Sequence, residues 1–363
     1  MNNSCKKTYL LLKIFFLLAP MSYIHGQIVE ADSTIKILEG MLNGTKTASF
    51  RDAVFLTEST FLNGKISYSE FRLKIAALKD LAYFIQKGRS LNYNFKDKNS
   101  IEVYGAIYSL MTDTQQIKIN NDTLFHIPYR YDFDDIFGEK RWENMFVTKL
   151  LKTKKGNCHS IPYLYKILCE ELDVSCHLAL APNHIYVKHQ SKKVGWYNTE
   201  LTSASFPIDA WVMASGYIKL EAIQNGIFME ALDDKKCIAL CVLDLAKGYD
   251  KKYQDNDGTF IIKCCDLTLE YFPNCINALL LKAETKKKQI ERLMKQRGIT
   301  NPTVLILQKD GKILWEEMEA LYGKIHNLGY RTMPEKMYVD WLVSLKAERE
   351  KYNNKQVTEM NKN

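Results

Sequence analysis

The sequence predicts an α+β protein in which a small antiparallel sheet lies between two mainly helical regions. Apolar residues recur at helical spacing in Phe71–Phe84, and again from Asp233 onward. Between these regions, three short runs read as strands: His177–Ala181, His184–His189 and Val194–Glu200. A helix followed by consecutive short strands is typical of the α+β class. Hydrophobic residues make up 46% of the 363 residues and charged residues 25%, which excludes a fully disordered or fibrous chain.

Residues 1–26 have the pattern of a secretory signal peptide. Lys6 and Lys7 form a positive start, Tyr9–Ala19 is an apolar stretch, and Gly26 is a small residue at the expected cleavage point. The apolar stretch is too short to span a bilayer. We therefore expect a secreted or periplasmic protein with no stable membrane insertion after signal removal. Losing the signal's three lysines lowers the formal charge from +8 to about +5, and it leaves eight of the nine cysteines.

Residues 27–135 are predicted to form a mainly helical N-terminal region. Ser67 followed three residues later by Glu70 has the spacing of a capping box, and Gly88 is expected to end the helix that starts there. A short hairpin is predicted around Asn120–Asp122, within a stretch rich in Asn, Asp and Tyr.

Residues 136–228 form the predicted core. A short helix is expected over Trp142–Leu151, followed by the basic turn Lys152–Gly156. The next helix, Cys158–Leu172, is amphipathic and begins at or beside Cys158. We expect this helix to pack on the short antiparallel sheet formed by the three strands.

Residues 229–349 are predicted to be helical again, and residues 350–363 to be a polar, frayed tail. Cys237–Tyr253 and Thr259–Tyr271 are apolar at helical spacing, Pro273 closes the second helix, and Ala278–Met294 begins the next. Helix pairs of this length that close on proline resemble tetratricopeptide repeats, of which about one and a half units are present. The resemblance implies a surface for a protein partner on the C-terminal helices.

One constellation has the residue types of a thiol enzyme. A cysteine at a helix start, such as Cys158, faces unpaired backbone N–H groups and the positive end of the helix dipole, which favour the thiolate. A histidine on a neighbouring strand, His184, is suited to take the thiol proton and deliver it to a leaving amine. Glu200 or Asn198 on the next strand is suited to orient that imidazole.

The spacing along the strands predicts which residue orients His184. If the strands pair about a turn centred near position 192, His184 lies directly opposite Glu200. Asn198 points to the same face of the sheet, because strand side chains alternate with a period of two. We expect Glu200 to orient the imidazole, and Asn198 is the alternative.

These residues resemble the transglutaminase-like superfamily, and within it the branch related to the SirB1 N-terminal domain. The motifs that carry the resemblance are Gly156-Asn157-Cys158, Pro182-Asn183-His184, and Trp196 four residues before Glu200. The helical block Phe50–Glu58 also looks like the N-terminal helices of the family, in which tetratricopeptide-like helices commonly follow the core.

The resemblance implies a papain/transglutaminase-like core and a catalytic triad. Matched residue by residue, Cys158 is the nucleophile, His184 the base and Glu200 the acidic residue that orients it. The substrate would be a peptide or another amide, and the reaction hydrolysis or acyl transfer through a cysteine thioester. The backbone N–H of Cys158 is expected to help stabilise the oxyanion. The alternative is a non-catalytic protein of the same fold that binds a protein partner through its helical repeats.

Four aromatic residues are candidates for a substrate pocket, although they equally suit the floor of a hydrophobic core: Trp196, Tyr197, Phe206 and Trp211. His159, His177 and His189 are expected to be ordinary packing or surface residues. Cys158 is also a candidate for a buried thiol or for a disulfide with Cys176.

The remaining motifs point to packing rather than to bound groups. We expect no cofactor and no metal, because the cysteine and histidine spacings match no zinc motif. No basic stripe with interleaved aromatics indicates nucleic-acid binding. The pairs Cys237/Cys241 and Cys264/Cys265 are expected to be small core residues, with a disulfide between neighbouring helices as the alternative.

Overall fold

The computed structural model describes residues 30–119 and 122–360, and it is an α+β protein dominated by helices. The predicted signal peptide lies outside the described residues. The N-terminal region is built from four helices: α1 (residues 30–43), α2 (Phe50–Phe61), α3 (Tyr68–Lys87) and α4 (Lys98–Thr112). Ser67 caps α3 by accepting a hydrogen bond from the Glu70 N–H at 3.2 Å, as the sequence predicts. Helix α4 lies within the predicted mainly helical region, although the sequence does not single it out as a helix.

Short strands follow these helices. Strands β1 (Gln115–Ile119) and β2 (Asp122–His126) pair antiparallel, which gives the predicted hairpin. Strand β3 (Arg130–Tyr131) pairs in parallel with β4 (Lys155–Gly156). The predicted helix over Trp142–Leu151 is divided by Phe146 into a single 3₁₀ turn and a separate helix. The two parts are the 3₁₀ turn Trp142–Met145 and helix α5 (Val147–Thr153).

The central helix packs against a three-stranded antiparallel sheet. Helix α6 (Ser160–Glu171) is followed by strands in the order β5 (His177–Ala181), β6 (His184–Ser191) and β7 (Gly195–Thr199). The turn between β5 and β6 is Pro182-Asn183, with Asn183 left-handed at φ 57°. Proline first and a left-handed asparagine second are the residues that a type II turn requires. Residues 182–184 therefore place His184 at the very start of its strand.

Helices make up the rest of the chain. Two short ones follow the sheet, α7 (Asp209–Ser215) and α8 (Leu220–Gln224). The C-terminal region then contains α9 (Asp234–Lys252), α10 (Thr259–Tyr271), α11 (Ile276–Arg297), α12 (Pro302–Ile306), α13 (Lys309–Asn327) and α14 (Glu335–Met360). Helix α14 continues to Met360, through most of the segment expected to be a frayed tail.

A single hydrophobic cluster joins the three regions of the chain. It contains buried side chains from α1 to α4, from α6 and its sheet, and from α9 to α11. Hydrogen bonds also link helices of different regions. The Glu170 carboxylate at the end of α6 accepts from the N–H groups of Phe50 (2.8 Å) and Arg51 (2.9 Å) at the start of α2. Buried Glu58 on α2 likewise accepts from Val147 N–H at 2.6 Å, at the start of α5.

The eight cysteines of the described chain are all buried and carry free thiols. Cys237, Cys241, Cys264, Cys265 and Cys275 belong to the main hydrophobic cluster, where they pack as small apolar side chains. Across residues 30–119 and 122–360, every helix is too short or too polar to cross a membrane.

Candidate active site

The Gly-Asn-Cys motif builds a capped helix start. The Asn157 side chain accepts hydrogen bonds from the N–H groups of His159 (3.0 Å) and Ser160 (3.2 Å), so it acts as the cap of α6. A Cβ on residue 156 would lie 2.3 Å from Ser160 Oγ, and this is why the position before the cap is glycine. Cys158 lies inside the capped turn, two residues before the helix begins at Ser160.

The carboxylate that reaches His184 is that of Glu200. His184 Nε2 and Glu200 Oε2 are 2.5 Å apart, and both side chains are buried. The second oxygen, Glu200 Oε1, accepts from the Thr202 N–H at 2.7 Å, which fixes the carboxylate in place. Because Glu200 remains ionised, Nε2–H is the donor, and Nδ1 is the nitrogen left for the thiol.

The predicted strand register is wrong by two residues, although the contact it predicts is present. Val187 pairs with Thr199, and Lys188 with Asn198. In this register Glu200 lies beyond the last pair and reaches His184 diagonally rather than directly across. The turn is centred on residue 193 rather than 192, and a shift of one in the centre moves each partner by two. A shift of two leaves every side chain on its predicted face.

Asn198, the alternative orienter, makes different contacts. Its amide nitrogen donates to the backbone oxygen of Pro207 (2.9 Å) and to Asp209 Oδ1 (2.8 Å). It therefore braces the loop that follows β7. The geometry brings Glu200, and not Asn198, to the imidazole of His184.

Of the four predicted pocket aromatics, Trp211 alone lies in the cluster next to the site. It packs against the buried residues of α14, one of which covers His184. Trp196 is half exposed near the far end of β7 and contacts the edge of His177. Tyr197 packs beside His189, and Phe206 packs on Tyr108. These three aromatics therefore face a different part of the sheet.

Burial and charge act in opposite directions on the Cys158 thiol. Burial favours the neutral thiol, but the hydrogen bond and positive charge of His184 outweigh it and lower the pKa of Cys158. Burial likewise opposes the charged imidazole, whereas Glu200 and the thiol raise the pKa of His184 to about 10. Both shifts favour the thiolate of Cys158 and the imidazolium of His184 over the neutral pair.

Two features near the thiol are missed by the sequence prediction, and the first is Tyr131. Tyr131, placed by the pairing of β3 with β4, also lowers the pKa of Cys158 by hydrogen bonding to it. Tyr131 Oη and His184 Nδ1 are both buried and have no partner of good hydrogen-bond geometry other than this sulfur. The sulfur itself lies 3.6 Å from the Asn183 carbonyl oxygen.

The second missed feature is a buried ion pair behind Cys158. His159 donates from Nδ1 to the Met145 carbonyl (2.9 Å), and its Nε2 lies 2.9 Å from Asp244 Oδ2 on α9. A carbonyl only accepts and Asp244 stays ionised, so both ring nitrogens donate and the imidazole is cationic. Burial opposes that charge, but Asp244 raises the pKa of His159 above its ordinary value. The charge of His159 in turn lowers the pKa of Cys158.

The site is closed to solvent. Cys158 is 7% exposed, His184 4% and Glu200 4%. Helix α14 lies over it: the Trp341 ring stands edge-on to the His184 imidazole, with ring centroids 4.5 Å apart. A thiol at this position needs a movement of α14 before a substrate reaches it.

Within the described residues, no group of three or more His, Cys, Asp or Glu side chains is arranged to hold a metal ion. Comparison with family models, with curated proteins and with solved structures finds no match to this chain. The chemistry of the site must therefore be argued from its own geometry, which combines a polarised thiol, a proton acceptor and an orienting carboxylate.

Proposed function

We propose that the protein is a thiol enzyme that hydrolyses amide bonds or transfers their acyl groups to an amine. Cys158 is the nucleophile, His184 is the base, and Glu200 orients the imidazole of His184. The observation that carries the proposal is the 2.5 Å contact between His184 and Glu200, with the Cys158 thiol hydrogen-bonded to the same imidazole. A hydrogen bond chain of carboxylate, imidazole and thiol is the arrangement that activates a cysteine.

The reaction follows from the positions of the protons. The Cys158 thiolate attacks the amide carbonyl, a C–S bond forms, and the carbonyl oxygen takes the negative charge. Asn157 already uses the N–H groups of His159 and Ser160, so the N–H of Cys158 is the donor that this turn has left for the oxyanion.

Collapse of this intermediate breaks the C–N bond. The imidazolium of His184 gives its Nδ1 proton to the leaving amine, and a thioester remains on Cys158. Water or a second amine then attacks the thioester, and His184 takes up its proton. The C–S bond breaks and the thiolate returns. Water as acceptor gives hydrolysis, and an amine gives acyl transfer.

The same residues support a wider proposal about family and location. The capped Gly-Asn-Cys turn, the histidine at a strand start and the helix packed on an antiparallel sheet fit a papain/transglutaminase-like core of the SirB1-related branch. The N-terminal pattern fits a secreted or periplasmic protein. The packed C-terminal helices fit a tetratricopeptide-like partner surface.

One observation favours a second candidate function. The thiol is almost sealed from solvent, as expected of a non-catalytic binding protein that keeps the fold. In such a protein Cys158 would be an ordinary buried cysteine, whose thiol stays neutral because burial raises its pKa. The ionisation state of Cys158 therefore separates the two candidates.

The experiment is a pH titration of thiolate ultraviolet absorbance, which needs no reagent to enter the site. Subtracting the curve of Cys158→Ala from that of the wild type isolates the Cys158 thiolate. We expect it to persist well below the ordinary range of a cysteine pKa, and to disappear as the pH falls through the lowered pKa. His184→Ala leaves burial unopposed by the imidazolium, so ionisation should then need a higher pH by at least about 1.

His177→Ala is the matched control, since His177 lies on the neighbouring strand and bonds to the Leu232 carbonyl at 3.0 Å. Its titration curve should overlay that of the wild type. A Cys158 thiol that ionises only above the ordinary range, with no response to His184→Ala, would favour the binding protein over the enzyme.

A further inference from the structure

We propose that helix α14 occupies the substrate groove of the Cys158 site and holds the enzyme latent, and that the groove accepts a peptide segment bearing aromatic side chains. The inference rests on the proposed function for its biological meaning. The closure itself rests on the packing of α14, which is independent of that function.

The helix places aromatic side chains directly over the catalytic residues. Trp341 contacts the His184 ring edge-on at 4.5 Å between centroids. Tyr338 lies one turn earlier and is 5% exposed; burial raises its pKa, and the nearby Cys158 thiolate raises it further. With Trp341 on the imidazole, Tyr338 close to the thiol and Cys158 only 7% exposed, the closed helix leaves no room for an amide carbonyl to reach the sulfur.

The groove that receives these side chains is itself apolar and aromatic. Ile136, Trp211 and Tyr217 pack against the buried residues of α14, and Phe137 stacks on Tyr338 with centroids 5.1 Å apart. Aromatic walls of this kind bind aromatic or apolar side chains of a peptide. The helix thus indicates the chemical class of the substrate it displaces.

The packing of α14 over the site has features that favour its opening. Four buried side chains of α14 and Met333 just before the helix form a small cluster separate from the main core; the four are Tyr338, Trp341, Leu342 and Leu345. Tyr338 Oη and Trp341 Nε1 are buried in it without hydrogen-bond partners. Unsatisfied buried polar atoms weaken the closed state, because an open helix regains water for each of them.

A substrate peptide would offer Tyr131 Oη and His184 Nδ1 hydrogen-bond partners in addition to the Cys158 sulfur. Tyr131 Oη and His184 Nδ1 face the thiol, and an amide placed there brings both a carbonyl and an N–H group. Helix α14 closes the groove with side chains alone and offers no such group to these two atoms. Exchange of the helix for a peptide therefore improves the hydrogen bonding of the site.

The experiment measures alkylation of Cys158 by iodoacetamide at alkaline pH, where any accessible thiol is ionised, with the modified residue identified by mass spectrometry. Trp341→Ala removes the ring that covers His184, and alkylation of Cys158 should become roughly tenfold faster or more. Val343→Ala is the matched control, since Val343 lies on the exposed face of the same helix with 61% of its surface accessible. Its rate should equal that of the wild type.

Tyr338→Phe tests the closure without a cavity, and it guards against a Trp341→Ala variant that fails to fold. It removes an unpaired hydroxyl and keeps the ring on Phe137, so the helix should bind more tightly and alkylation should slow several-fold. A synthetic peptide of residues 335–350, added to the Trp341→Ala variant, should compete for the groove and restore protection.

The possible failures are distinguishable. Equal alkylation rates in wild type, Trp341→Ala and Tyr338→Phe would overturn the closure, whatever the thiolate titration shows. Faster alkylation in Trp341→Ala without protection by the peptide would overturn the groove as a peptide site. If Cys158 becomes more reactive in Trp341→Ala but ionises only in the ordinary range of a cysteine pKa, the proposed function fails and the closure by α14 stands.

Discussion

At the scale of single residues, the choice of glutamate at position 200 compensates for its place in the sheet. Residue 200 lies beyond the last pair of β6 with β7, diagonal to His184 rather than opposite it. A diagonal position is farther than a direct cross-strand one, and the longer side chain of glutamate bridges the difference. The sequence therefore predicts the contact of Glu200 with His184 and the face on which it lies, and it misses the register.

The register was missed because it depends on the backbone of the turn. Ser191 pairs with Gly195, so three residues form the loop, and Gly195 adopts a left-handed φ of 76°. Three-residue hairpin loops use glycine at this position. The prediction centred the turn one residue too early, on Lys192.

The charge of Glu200 should be felt at the sulfur. Glu200→Gln keeps the size of the side chain and removes the charge that raises the pKa of His184. We expect the pKa of the imidazole to fall and that of the Cys158 thiol to rise by about 1 or more, as seen in thiolate absorbance against pH. Asn198→Ala changes a buried residue of the adjoining strand β7 whose hydrogen bonds go to Pro207 and Asp209, and it should leave the midpoint unchanged. A Glu200→Gln midpoint equal to that of the wild type would argue against the triad.

At the scale of secondary-structure elements, helix α9 fixes the start of α6. The link is the ion pair of His159 with Asp244, and Tyr163 Oη donates to the same carboxylate at 2.8 Å. The sequence places His159 beside Cys158 but separates it from Asp244 by 85 positions. Apolar periodicity predicts both helices, but it carries no information on which polar side chains meet between them.

The ion pair of His159 and Asp244 should lower the pKa of the Cys158 thiol and also stabilise the fold. Asp244→Asn removes the charge that raises the pKa of His159, so burial returns the imidazole to its neutral form. The unfolding free energy should then fall by roughly 3 kcal/mol, as for other broken buried pairs. The pKa of Cys158 should rise, because the cation beside it is lost; the thiolate absorbance titration measures this second effect.

The pH dependence of stability should change in the same variant. In the wild type the pair is intact between the lowered pKa of Asp244 and the raised pKa of His159, so its contribution is lost on both acidic and alkaline sides. Denaturant titrations across this range should show a flatter profile for Asp244→Asn. Asp250→Asn, on the surface of the same helix and paired with Lys288, is the control for both measurements. If Asp244→Asn lowers the stability but leaves the pKa of Cys158 at its wild-type value, the ion pair has a structural role only.

At the scale of the whole molecule, the sequence predicts parts better than their assembly. The apolar positions of α14 are visible in the sequence as Tyr338, Trp341, Leu342 and Leu345, spaced for one helical face. What that face covers is a long-range contact with His184, which no local pattern contains. The closure of the site, and the continuity of the core, are therefore properties that only the structure reveals.

The continuous core predicts one cooperative unfolding transition for the described chain. Leu110 on α4 and Leu279 on α11 are almost completely buried and belong to the same cluster, although they lie in different regions of the sequence. Each change to alanine should lower the unfolding free energy by about 2–5 kcal/mol, the usual range for a buried leucine. Because the cluster is shared, each should shift the same single transition.

The controls are leucines at the surface of the same two regions. Leu73 is 70% exposed on α3, and Leu307 is 84% exposed after α12, so their alanine variants should unfold within about 0.5 kcal/mol of the wild type. The measurement is denaturant unfolding followed by far-ultraviolet circular dichroism and by tryptophan fluorescence. Within each of the four variants, coincident circular-dichroism and fluorescence curves support one cooperative unit. Two transitions, with Leu110→Ala moving one and Leu279→Ala the other, would instead mean that the N-terminal and C-terminal regions unfold independently in spite of their shared cluster.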